Sequence, residues 1–311
     1  MAGGGGFIGS HLVDRFLDRG DEVVVLDSFS TGRHSNLEHR SEHDGYQVIE
    51  CDITEPLPGL GEFEAVVNLA SPASPEDFAS MPLEILQAGS VGNRRLLDLA
   101  SDCGARFLLA STSEVYGNSL VHPQSEDYHG NVDPIGPRSC YDEAKRFAEA
   151  TTMAYARRHG LDIRIARIFN TYGERMMPTD GRVVNAFIVQ ALREQPLQVF
   201  GDGTQTRSFC HVADQVAGLI ALLDSTYSRP VNIGNPEEVT IAELAELVIS
   251  VVGSSSGLTR VALPERRAGD PGRRCPDISR ARSVLGWEPK IPLNDGVATM
   301  AAYFREHEDL G

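Results

Sequence analysis

The sequence predicts an α/β protein in which a doubly wound parallel sheet carries a smaller C-terminal lobe. A glycine-rich segment opens the chain, short apolar runs alternate with helical patterns up to residue 170, and this alternation loosens beyond that point. Strands that alternate with helices favour a parallel sheet covered on both faces. We therefore expect one domain at residues 1–170 and a lobe formed mainly by residues 171–311, with some segments returning to the first domain.

The composition is that of a folded, acidic protein. The chain has 311 residues, a formal net charge of −16 and no apolar run of membrane-spanning length. Nucleic acids and anionic membranes select positive protein surfaces, so neither is an expected partner. The five cysteines are scattered and include no Cys-x-x-Cys pair, which predicts reduced thiols and no metal site. No signal peptide precedes the glycines, and we expect a cytoplasmic protein.

The glycine-rich segment predicts a phosphate-binding turn. Three of its glycines are spaced three residues apart and lead into an expected helix at residues 10–19. Glycines permit a tight turn and let backbone amides approach a pyrophosphate at the N-terminus of a helix. This is the pattern of a dinucleotide-binding (Rossmann) fold. The predicted cofactor contacts in this segment are Gly3, Gly6, Phe7, Ile8 and Gly9.

An acidic residue after the next strand indicates which dinucleotide would bind. Residues 22–26 form a buried apolar run that ends at Asp27, at the spacing expected of the carboxylate that binds an adenosine ribose. Such a carboxylate accepts a hydrogen bond from a 2′-hydroxyl and repels a 2′-phosphate, which favours NAD over NADP. Arg33 lies nearby in the sequence and leaves NADP as an alternative.

The first strand of the expected fold is apparently missing. A dinucleotide-binding fold needs a strand before its glycine loop, and Met1 stands where that strand should end. Loss of a central parallel strand would expose its neighbours and weaken the support of the loop. We expect either that the protein begins earlier, with Met1 in place of an internal strand residue, or that this chain is impaired. Sequencing the native N-terminus separates the two.

The remaining elements follow the same alternation of strand and helix. The predicted strands are residues 46–51, 65–70, 106–110, 161–169 and 197–200, and the predicted helices are residues 83–102, 141–159, 182–195, 240–253 and 281–287. Two strand ends supply further candidate cofactor contacts. Asp52 and Ile53 are placed to reach an adenine ring, and Leu69 and Ala70 to line the dinucleotide. Ordinary turn and core roles remain alternatives for these four residues.

Two polar segments are the candidate catalytic elements. A buried apolar run ends just before Thr112, Ser113 and Glu114, so these side chains should emerge at the carboxyl edge of a parallel strand, where ligands of open α/β sheets bind. Tyr141 and Lys145 lie four residues apart and should share one face of a helix. The Tyr-x-x-x-Lys spacing alone also fits an ordinary helix pair, but the strand-end hydroxyls and the glycine loop favour catalysis.

The tyrosine and lysine together predict a base. An ammonium about 5 Å from a phenol would lower the pKa of Tyr141 by roughly two units at an effective dielectric near 20. The helix that carries both is expected to begin with a capping box formed by Ser139 and Asp142.

Taken together, these residues resemble the extended short-chain dehydrogenases/reductases that act on nucleotide sugars, and among them the UDP-glucuronate decarboxylases. The likeness covers nearly the whole chain, and its most specific segments are residues 70–75, 111–117, 122–124, 131–143, 166–173, 180–184, 205–209 and 234–238. It implies NAD as cofactor, a UDP-sugar as substrate, and a homodimer in which the helices at residues 83–102 and 141–159 pack between subunits.

The resemblance also implies a reaction. Tyr141, as phenolate, would take the proton of the sugar C4 hydroxyl while hydride passes to NAD+, with Thr112 holding the oxygen and Lys145 the ribose and the phenolate. Oxidation at C4 turns the C5 carboxylate into a β-keto acid, which can lose carbon dioxide. Return of the hydride would give UDP-xylose. The implied catalytic residues are Thr112, Ser113, Glu114, Tyr141, Lys145 and Arg274.

Several positions bear on the choice of substrate. Related 4,6-dehydratases are expected to carry Thr-Asp-Glu where this chain has Thr112, Ser113 and Glu114, and a serine cannot protonate a departing hydroxyl at neutral pH. Glu114 and Ser113 are therefore expected at the carboxylate end of the sugar, near Arg274. The substrate contacts implied by the resemblance are Asn170, Arg175, Gln205 and Arg207.

One segment departs from the family pattern. The chain reads Ala88-Gly89-Ser90-Val91-Gly92-Asn93 where family members usually carry Thr-Asn before x-x-Gly-Thr, and Gly89 removes a side-chain amide from the active-site backbone. Two alternatives to decarboxylation therefore stay open. One is 4,6-dehydration or 4-epimerisation of another nucleotide sugar, and the other is a degenerate, non-catalytic nucleotide-sugar-binding protein.

Overall fold

The computed structural model describes residues 1–262 and 273–307, and a parallel sheet lies at the centre of the first part of the chain. The strand order is β2-β1 in one group and β3-β4-β5-β10 in the other, and each of these pairs is parallel. The predicted parallel α/β sheet is therefore confirmed. The strands of this sheet are β1 (Val23–Asp27), β2 (Tyr46–Glu50), β3 (Ala65–Asn68), β4 (Arg106–Thr112), β5 (Ile163–Ile168) and β10 (Pro230–Ile233).

The residue Ala2 joins the two groups of strands. It makes parallel bridges to Leu26 of β1 and to Asn68 of β3, and its amide donates to the Val67 carbonyl at 2.8 Å. The Leu26 amide in turn donates to the Met1 carbonyl at 2.8 Å. Met1 and Ala2 thus lie in the sheet directly before the glycine loop, and the missing first strand stays a prediction.

Helices cover both faces of the sheet because apolar side chains line both of its faces. One core packs α1 and α7 against the sheet, and the other packs α4 and α5 against the opposite face. None of the described helices is long and apolar enough to cross a membrane. The helices are α1 (Phe7–Asp18), α2 (Pro75–Ser80), α3 (Pro82–Gln87), α4 (Asn93–Cys103), α5 (Ser139–His159), α6 (Val183–Leu192), α7 (Val212–Asp224), α8 (Ile241–Val252), α9 (Ser279–Leu285) and α10 (Leu293–His307).

A separate C-terminal core lies in the later part of the chain, where α6, α8 and α10 pack together around Phe187, Leu244 and Phe304. Small sheets flank this core: β7 pairs with β12, β6 with β9, and β8 lies between β11 and β13. Their bounds are β6 (Thr171–Tyr172), β7 (Leu197–Phe200), β8 (Thr206–Ser208), β9 (Cys210–His211), β11 (Glu238–Thr240), β12 (Leu258–Val261) and β13 (Arg273–Arg274).

Three local predictions were wrong. The first helix begins at Phe7 rather than residue 10, because Gly6 already serves as its N-cap. The helix expected at residues 83–102 is interrupted by a π-helix at Ala88–Gly92, between α3 and α4. Helix α5 has Arg138 as N-cap and no side-chain cap, because Ser139 is already helical. Helix α8, by contrast, does begin with a capping box, which Thr240 and Glu243 form.

Candidate active site

A cavity of about 750 Å³ lies at the carboxyl edge of the parallel sheet and extends to the C-terminal core. The ends of β4 and β5, the glycine loop and the start of α5 form one side of it. Segments before α6 and around β8 form the other side. The predicted residues that line this cavity are Gly3, Gly6, Phe7, Ile8, Gly9, Leu69, Thr112, Ser113, Glu114, Tyr141, Lys145, Asn170, Arg175, Gln205, Arg207 and Arg274.

The predicted catalytic trio is assembled where β4 meets α5. Thr112 is the last residue of β4, and its hydroxyl lies close enough to the Tyr141 hydroxyl to lower the pKa of the phenol. Lys145, one turn further along α5, lies with its Nζ 5.7 Å from the centroid of the Tyr141 ring and donates to the Ala110 carbonyl at 2.9 Å. Phe78 stacks on the other side of Tyr141 with ring centroids 4.8 Å apart. The phenol is thus held between an aromatic ring and a strand-end hydroxyl.

The expected lowering of the tyrosine pKa was wrong for the protein alone. Burial raises the pKa of Tyr141 to about 12, and Glu114 adds to this rise, while the hydrogen bond from Thr112 and the charge of Arg182 oppose it. Burial also lowers the pKa of Lys145 to about 8. The Lys145 ammonium is directed at a backbone carbonyl. The rise in the Tyr141 pKa caused by burial is therefore larger than the fall that this cation causes, because removing a charged group from water costs more free energy than one distant cation returns.

Glu114 is the centre of a charged cluster at the same edge of the sheet. Its Oε2 lies 2.7 Å from Arg138 Nη2 and 2.9 Å from Arg274 Nη2. Burial alone would raise the pKa of Glu114, yet the charges of Arg274 and Arg138 hold it below its ordinary value. Arg274 also donates to the Ser113 carbonyl. The predicted meeting of residues 113, 114 and 274 is therefore present, and Glu114 is a carboxylate at neutral pH.

A second carboxyl group faces this cluster from α5. Asp142 is buried, and its Oδ1 has no hydrogen-bond partner in the part of the chain that the structure describes. Burial raises the pKa of Asp142 to about 7, and the charge of Glu114 adds to the rise while Arg138 and Arg274 oppose it. Two carboxyl groups near one another cannot both ionise freely. The side chain expected to cap the helix therefore lies in the active-site cluster.

The glycine loop has the close backbone packing that a phosphate-binding turn requires. Gly3 has φ +78°, and a Cβ added there would lie 2.7 Å from the Ala70 amide nitrogen. A Cβ on Gly9 would overlap the Gly3 carbonyl oxygen. Gly6 caps α1 without a side-chain hydrogen bond, so the amides of the first helical turn are open to an anion.

Asp27 supports this loop from the end of β1. Its carboxylate accepts from the Gly5 amide at 2.7 Å and from the Phe29 amide at 2.8 Å. Burial raises the pKa of Asp27, while those two amides oppose the rise. Arg33, the residue that left NADP open, donates to the Arg175 carbonyl at 3.2 Å.

The other candidate cofactor residues are distributed unevenly around the cavity. Leu69 lines it, whereas Ala70, Asp52 and Ile53 do not. Asp52 is exposed and accepts from the Thr54 amide and hydroxyl at 2.8 Å each, as a turn residue does. Contact of Asp52 and Ile53 with an adenine ring stays a prediction.

Three of the four candidate substrate residues line the wall of the cavity around β8, and backbone carbonyls orient their polar groups. Asn170 donates to the Ser208 carbonyl at 3.4 Å, Gln205 to the Phe200 carbonyl at 3.0 Å, and Arg207 to the Thr206 carbonyl at 2.8 Å. These contacts leave the Arg207 guanidinium and the side-chain amides of Asn170 and Gln205 along one wall of the cavity.

Arg175 lies closer to the glycine loop than expected. Its Nη2 is 2.6 Å from Asp14 of α1, and its Nη1 is buried without a hydrogen-bond partner in the described ranges. Its backbone adopts φ +65°, a conformation that non-glycine residues rarely adopt. A role for this residue in binding the substrate diphosphate stays a prediction.

Sequence reasoning missed three residues that shape the reacting end of the cavity: Phe78, Arg138 and Arg182. Arg182 pairs with Asp180 at 2.5 Å and lines the cavity close enough to lower the pKa of Tyr141. The family resemblance included the segments around Arg138 and Arg182, but it assigned neither residue a role. Phe78 lies on a short helix that the sequence pattern did not reveal.

Comparison with known proteins gives consistent matches along the chain. The family model described as GDP-mannose 4,6-dehydratase matches residues 1–300. UDP-glucuronic acid decarboxylase 1 of Danio rerio is 50% identical over 304 residues, which cover 98% of this chain and 72% of that protein. UDP-glucuronic acid decarboxylase 3 of Arabidopsis thaliana is 50% identical over 306 residues, which cover 98% of this chain and 88% of that protein.

Solved structures show the same fold at lower identity. A dTDP-glucose 4,6-dehydratase from Streptomyces venezuelae with bound NAD superposes with a TM-score of 0.86 at 28% identity, covering 100% of this chain and 98% of that one. A UDP-glucuronic acid 4-epimerase from Bacillus cereus, in complex with NAD and a fluorinated UDP-glucuronic acid, superposes with a TM-score of 0.86 at 27% identity, covering 98% of each chain. The chain therefore belongs to the GDP-mannose 4,6-dehydratase family of extended short-chain dehydrogenases/reductases, alongside the UDP-glucuronic acid decarboxylases.

Proposed function

We propose that this protein is an NAD-dependent decarboxylase that converts UDP-glucuronate to UDP-xylose. The observation that carries the proposal is the cavity wall beside Tyr141, where Ser113 is buried next to Thr112 and Arg274 reaches both Ser113 and Glu114. A serine cannot protonate a leaving hydroxyl at neutral pH, whereas a fixed arginine suits a sugar that carries a carboxylate. Identity of 50% to two UDP-glucuronic acid decarboxylases supports the same substrate.

The residues of the glycine loop fit a dinucleotide. The added Cβ atoms at Gly3 and Gly9 would fill the turn, and the uncapped start of α1 offers amides to a pyrophosphate. We assign Asp27, which accepts from the Gly5 amide, to the ribose, and a carboxylate there favours NAD over NADP, as does the contact of Arg33 with the Arg175 carbonyl. When bound, NAD+ adds a positive charge to the site, accepts hydride from the sugar C4 and later returns it.

Tyr141 is the proton acceptor for the sugar C4 hydroxyl. Its Oη takes that proton while Thr112 Oγ1 holds the sugar oxygen within the same hydrogen-bonded pair. Arg182 and Thr112 favour the phenolate form of the tyrosine against the effect of burial. Lys145 fixes α5 to β4 through the Ala110 carbonyl and presents its ammonium to the ribose and the phenol ring.

Loss of carbon dioxide follows from the 4-keto group. The bond between C5 and its carboxylate breaks, and the bonding electrons form an enolate whose charge lies on the C4 oxygen. The Tyr141 hydroxyl and Thr112 are placed to hydrogen-bond that oxygen. Arg274 orients the carboxylate end of the sugar, and Glu114 fixes Arg274 in turn. A proton returned to C5 restores the ring carbon before the hydride comes back.

The nucleotide end of the substrate is assigned to the opposite wall of the cavity. We propose that Asn170, Gln205 and Arg207 bind the UDP portion, since their polar groups face the cavity on an otherwise acidic protein. Residues 1–170 then hold mainly the cofactor and residues 171–311 mainly the nucleotide sugar. The pairing of β10 with β5 and the contact of Arg274 with Glu114 support segments of the second part returning to the first.

The test is product analysis with the purified protein. UDP-glucuronate labelled at its carboxyl carbon is incubated with the protein, released carbon dioxide is counted, and the nucleotide product is identified by NMR. We expect carbon dioxide and UDP-xylose without added NAD, because the cofactor is regenerated in each cycle. UDP-galacturonate without carbon dioxide would indicate 4-epimerisation, and dehydration of dTDP-glucose would indicate a 4,6-dehydratase. Calorimetric binding of UDP-glucuronate without any turnover would indicate a non-catalytic binding protein.

We also propose that the protein is a homodimer. Helices α3 and α5 pack against each other and carry exposed apolar side chains, with Leu83 67% and Phe147 54% exposed, and Leu86 and Val91 are exposed as well. Exposed apolar side chains on neighbouring helices are typical of a subunit interface. Sedimentation should give a dimer for the unaltered protein and a monomer for Phe147→Glu. A monomer in both would contradict the proposal.

A cytoplasmic location is our further proposal. All five cysteines are free thiols, which suits a reducing compartment. Fractionation of the source cells, with antibody detection in the cytosolic fraction, tests it, and recovery in a membrane or secreted fraction would contradict it.

A further inference from the structure

The π-helix at Ala88–Gly92 is an irregularity that neither the cofactor nor the substrate contacts explain. It lies between α3 and α4, and its residues Gly89 and Gly92 are both buried. Glycine is unfavourable in a helix interior, and π-turns are uncommon outside functional sites. Gly92 packs against Ile53, whereas Gly89 faces α5, the helix that carries Tyr141 and Lys145.

Gly89 has no room for a side chain because of Ala144. A Cβ added to Gly89 would lie 2.8 Å from the Ala144 Cβ, 2.8 Å from its carbonyl oxygen and 3.0 Å from its carbonyl carbon. Ordinary contacts of this kind measure 3.4–4 Å, so one helix would have to shift. Ala144 is itself 3% exposed and directly precedes Lys145 in the sequence. The two small residues thus set how closely the π-turn approaches the catalytic helix.

The end of the same turn is tied both to α5 and to the cofactor side of the cavity. Asn93 donates to the Ala148 carbonyl of α5 at 3.4 Å and accepts from Asn68 at 3.0 Å. Asn68, the last residue of β3, accepts from the Ala70 amide at 3.1 Å. Contacts at residues 144 and 148, one turn apart on α5, therefore connect the helix to the strand end beside the glycine loop.

We propose that Gly89 and Ala144 form a matched contact that positions Tyr141 and Lys145 against Thr112 and Ala110. Gly89 is thus a positioning residue for the reaction. This role rests on the proposed function, but the contact itself does not. The hydrogen bond from Lys145 to the Ala110 carbonyl, at 2.9 Å, and the stacking of Phe78 on Tyr141, at 4.8 Å, leave little tolerance for movement of α5. A displacement of about 1 Å at reacting groups can reduce a rate a hundredfold.

The test is a double-mutant cycle on the cofactor-loaded protein. Gly89→Ala adds one methyl group to the contact, Ala144→Gly removes one, and the double variant restores the total. Gly59→Ala is the control, because nothing lies within 4 Å of a Cβ at that position. For each variant, kcat and KM for UDP-glucuronate and the urea midpoint of unfolding are measured.

We expect Gly89→Ala to lower kcat at least tenfold with KM changed less than threefold, and to lower the unfolding midpoint even though alanine is the better helix former. Gly59→Ala should keep kcat within threefold of the unaltered protein, and Ala144→Gly should lower kcat less than Gly89→Ala does, because it leaves a gap rather than an overlap. The double variant should recover part of the kcat lost in Gly89→Ala, because it removes the overlap with the Ala144 Cβ but keeps the close approach to the Ala144 carbonyl.

An unchanged kcat in Gly89→Ala, or a double variant no better than Gly89→Ala, would overturn the proposal. If Gly89→Ala does not fold, the double variant decides the matter: a folded and active double variant supports the matched contact, and a second unfolded protein contradicts it. If the unaltered protein releases no carbon dioxide from UDP-glucuronate, the proposed function fails separately, and the unfolding midpoints, which need no substrate, still test the contact.

Discussion

Arg274 donates to the carboxylate of Glu114 at 2.9 Å, across 160 residues of sequence. Both side chains are shielded, with 3% of Arg274 and 15% of Glu114 exposed. This pair brings β13, a strand of the later sheet, to the carboxyl edge of β4 in the first. The reacting end of the cavity is therefore complete only when both parts of the chain have folded against each other.

Replacement of Arg274 by lysine should impair the decarboxylation step. An ammonium cannot donate to the Ser113 carbonyl and to Glu114 in the forked geometry of a guanidinium. We expect kcat for carbon dioxide release to fall about 100-fold, a loss in the range typical of one well-placed polar group. The matched control is Arg273→Lys on the same strand, which is exposed and should keep the full rate. Equal rates in the two variants would refute the role of Arg274.

Removal of the Tyr141 hydroxyl should abolish turnover without loss of the fold. Tyr141→Phe keeps the stacking on Phe78 but removes the proton acceptor paired with Thr112. We expect kcat to fall about 1,000-fold, since general acid–base groups contribute about 10² to 10⁴. Tyr155→Phe serves as the control, because Tyr155 is a partly buried residue on the same helix that does not line the cavity. Calorimetry should show unchanged UDP binding, and a residual rate above one tenth would contradict the assignment.

Asp142 should make the stability of the protein fall as pH rises. Its folded-state pKa of about 7 exceeds the ordinary value of 3.8, so folding takes up a proton between these values. The resulting cost is absent below pH 4, grows through the window from 4 to 7, and is complete above 7. Asp142→Asn should therefore raise the free energy of unfolding by about 4 kcal/mol at pH 8 and by much less at pH 4.5.

Urea unfolding of the unaltered protein and of Asp142→Asn at these two pH values measures the difference. A gain of the same size at both pH values would show that the carboxyl does not titrate in this window. Glu114, Arg138, Arg274 and Glu143 are the charged groups that act on Asp142, and they are unchanged in both proteins.

A methyl group at Gly9 should release the cofactor. The added carbon would overlap the Gly3 carbonyl oxygen, so the turn between β-sheet and α1 would have to open. We expect Gly9→Ala to lower the free energy of unfolding by about 2 kcal/mol, as overpacking does. The NAD recovered after denaturation should drop to below one tenth of the amount in unaltered protein. Gly61→Ala, with no atom within 4 Å of its Cβ, should retain its NAD.

Much of the sheet could be predicted because its strands are short apolar runs that end in polar residues. The strand at Leu197–Phe200 was predicted with its bounds, and β4 and β5 within two or three residues. The π-turn was not predicted, because the pattern at residues 83–102 is helical throughout and a single inserted residue leaves no periodic signal. Only the structure shows the π-turn, through the close contact of Gly89 with Ala144, 55 residues further along the chain.

The residues of the site could be predicted from the sequence more completely than their hydrogen-bond partners and burial. The four-residue spacing of Tyr141 and Lys145 placed both on one helix face, but it could not show that the ammonium points to the Ala110 carbonyl or how deeply the phenol is buried. Both effects depend on atoms of β4. Arg182 and Phe78 were missed for the same reason, because neither lies near Tyr141 in the sequence.

The pairing of β13 with β8 has a consequence for which of two adjacent arginines enters the site. Arg273 is aligned with Thr206 and Arg274 with Arg207, and successive side chains of a strand point to opposite sides. Two adjacent arginines are chemically identical, so only this alignment determines which guanidinium is buried against Glu114 and which is left in solvent. A slip by one residue would exchange them without changing the charge of the strand. The register of the β13–β8 pairing, which backbone hydrogen bonds fix, therefore determines which of the two arginines faces the site.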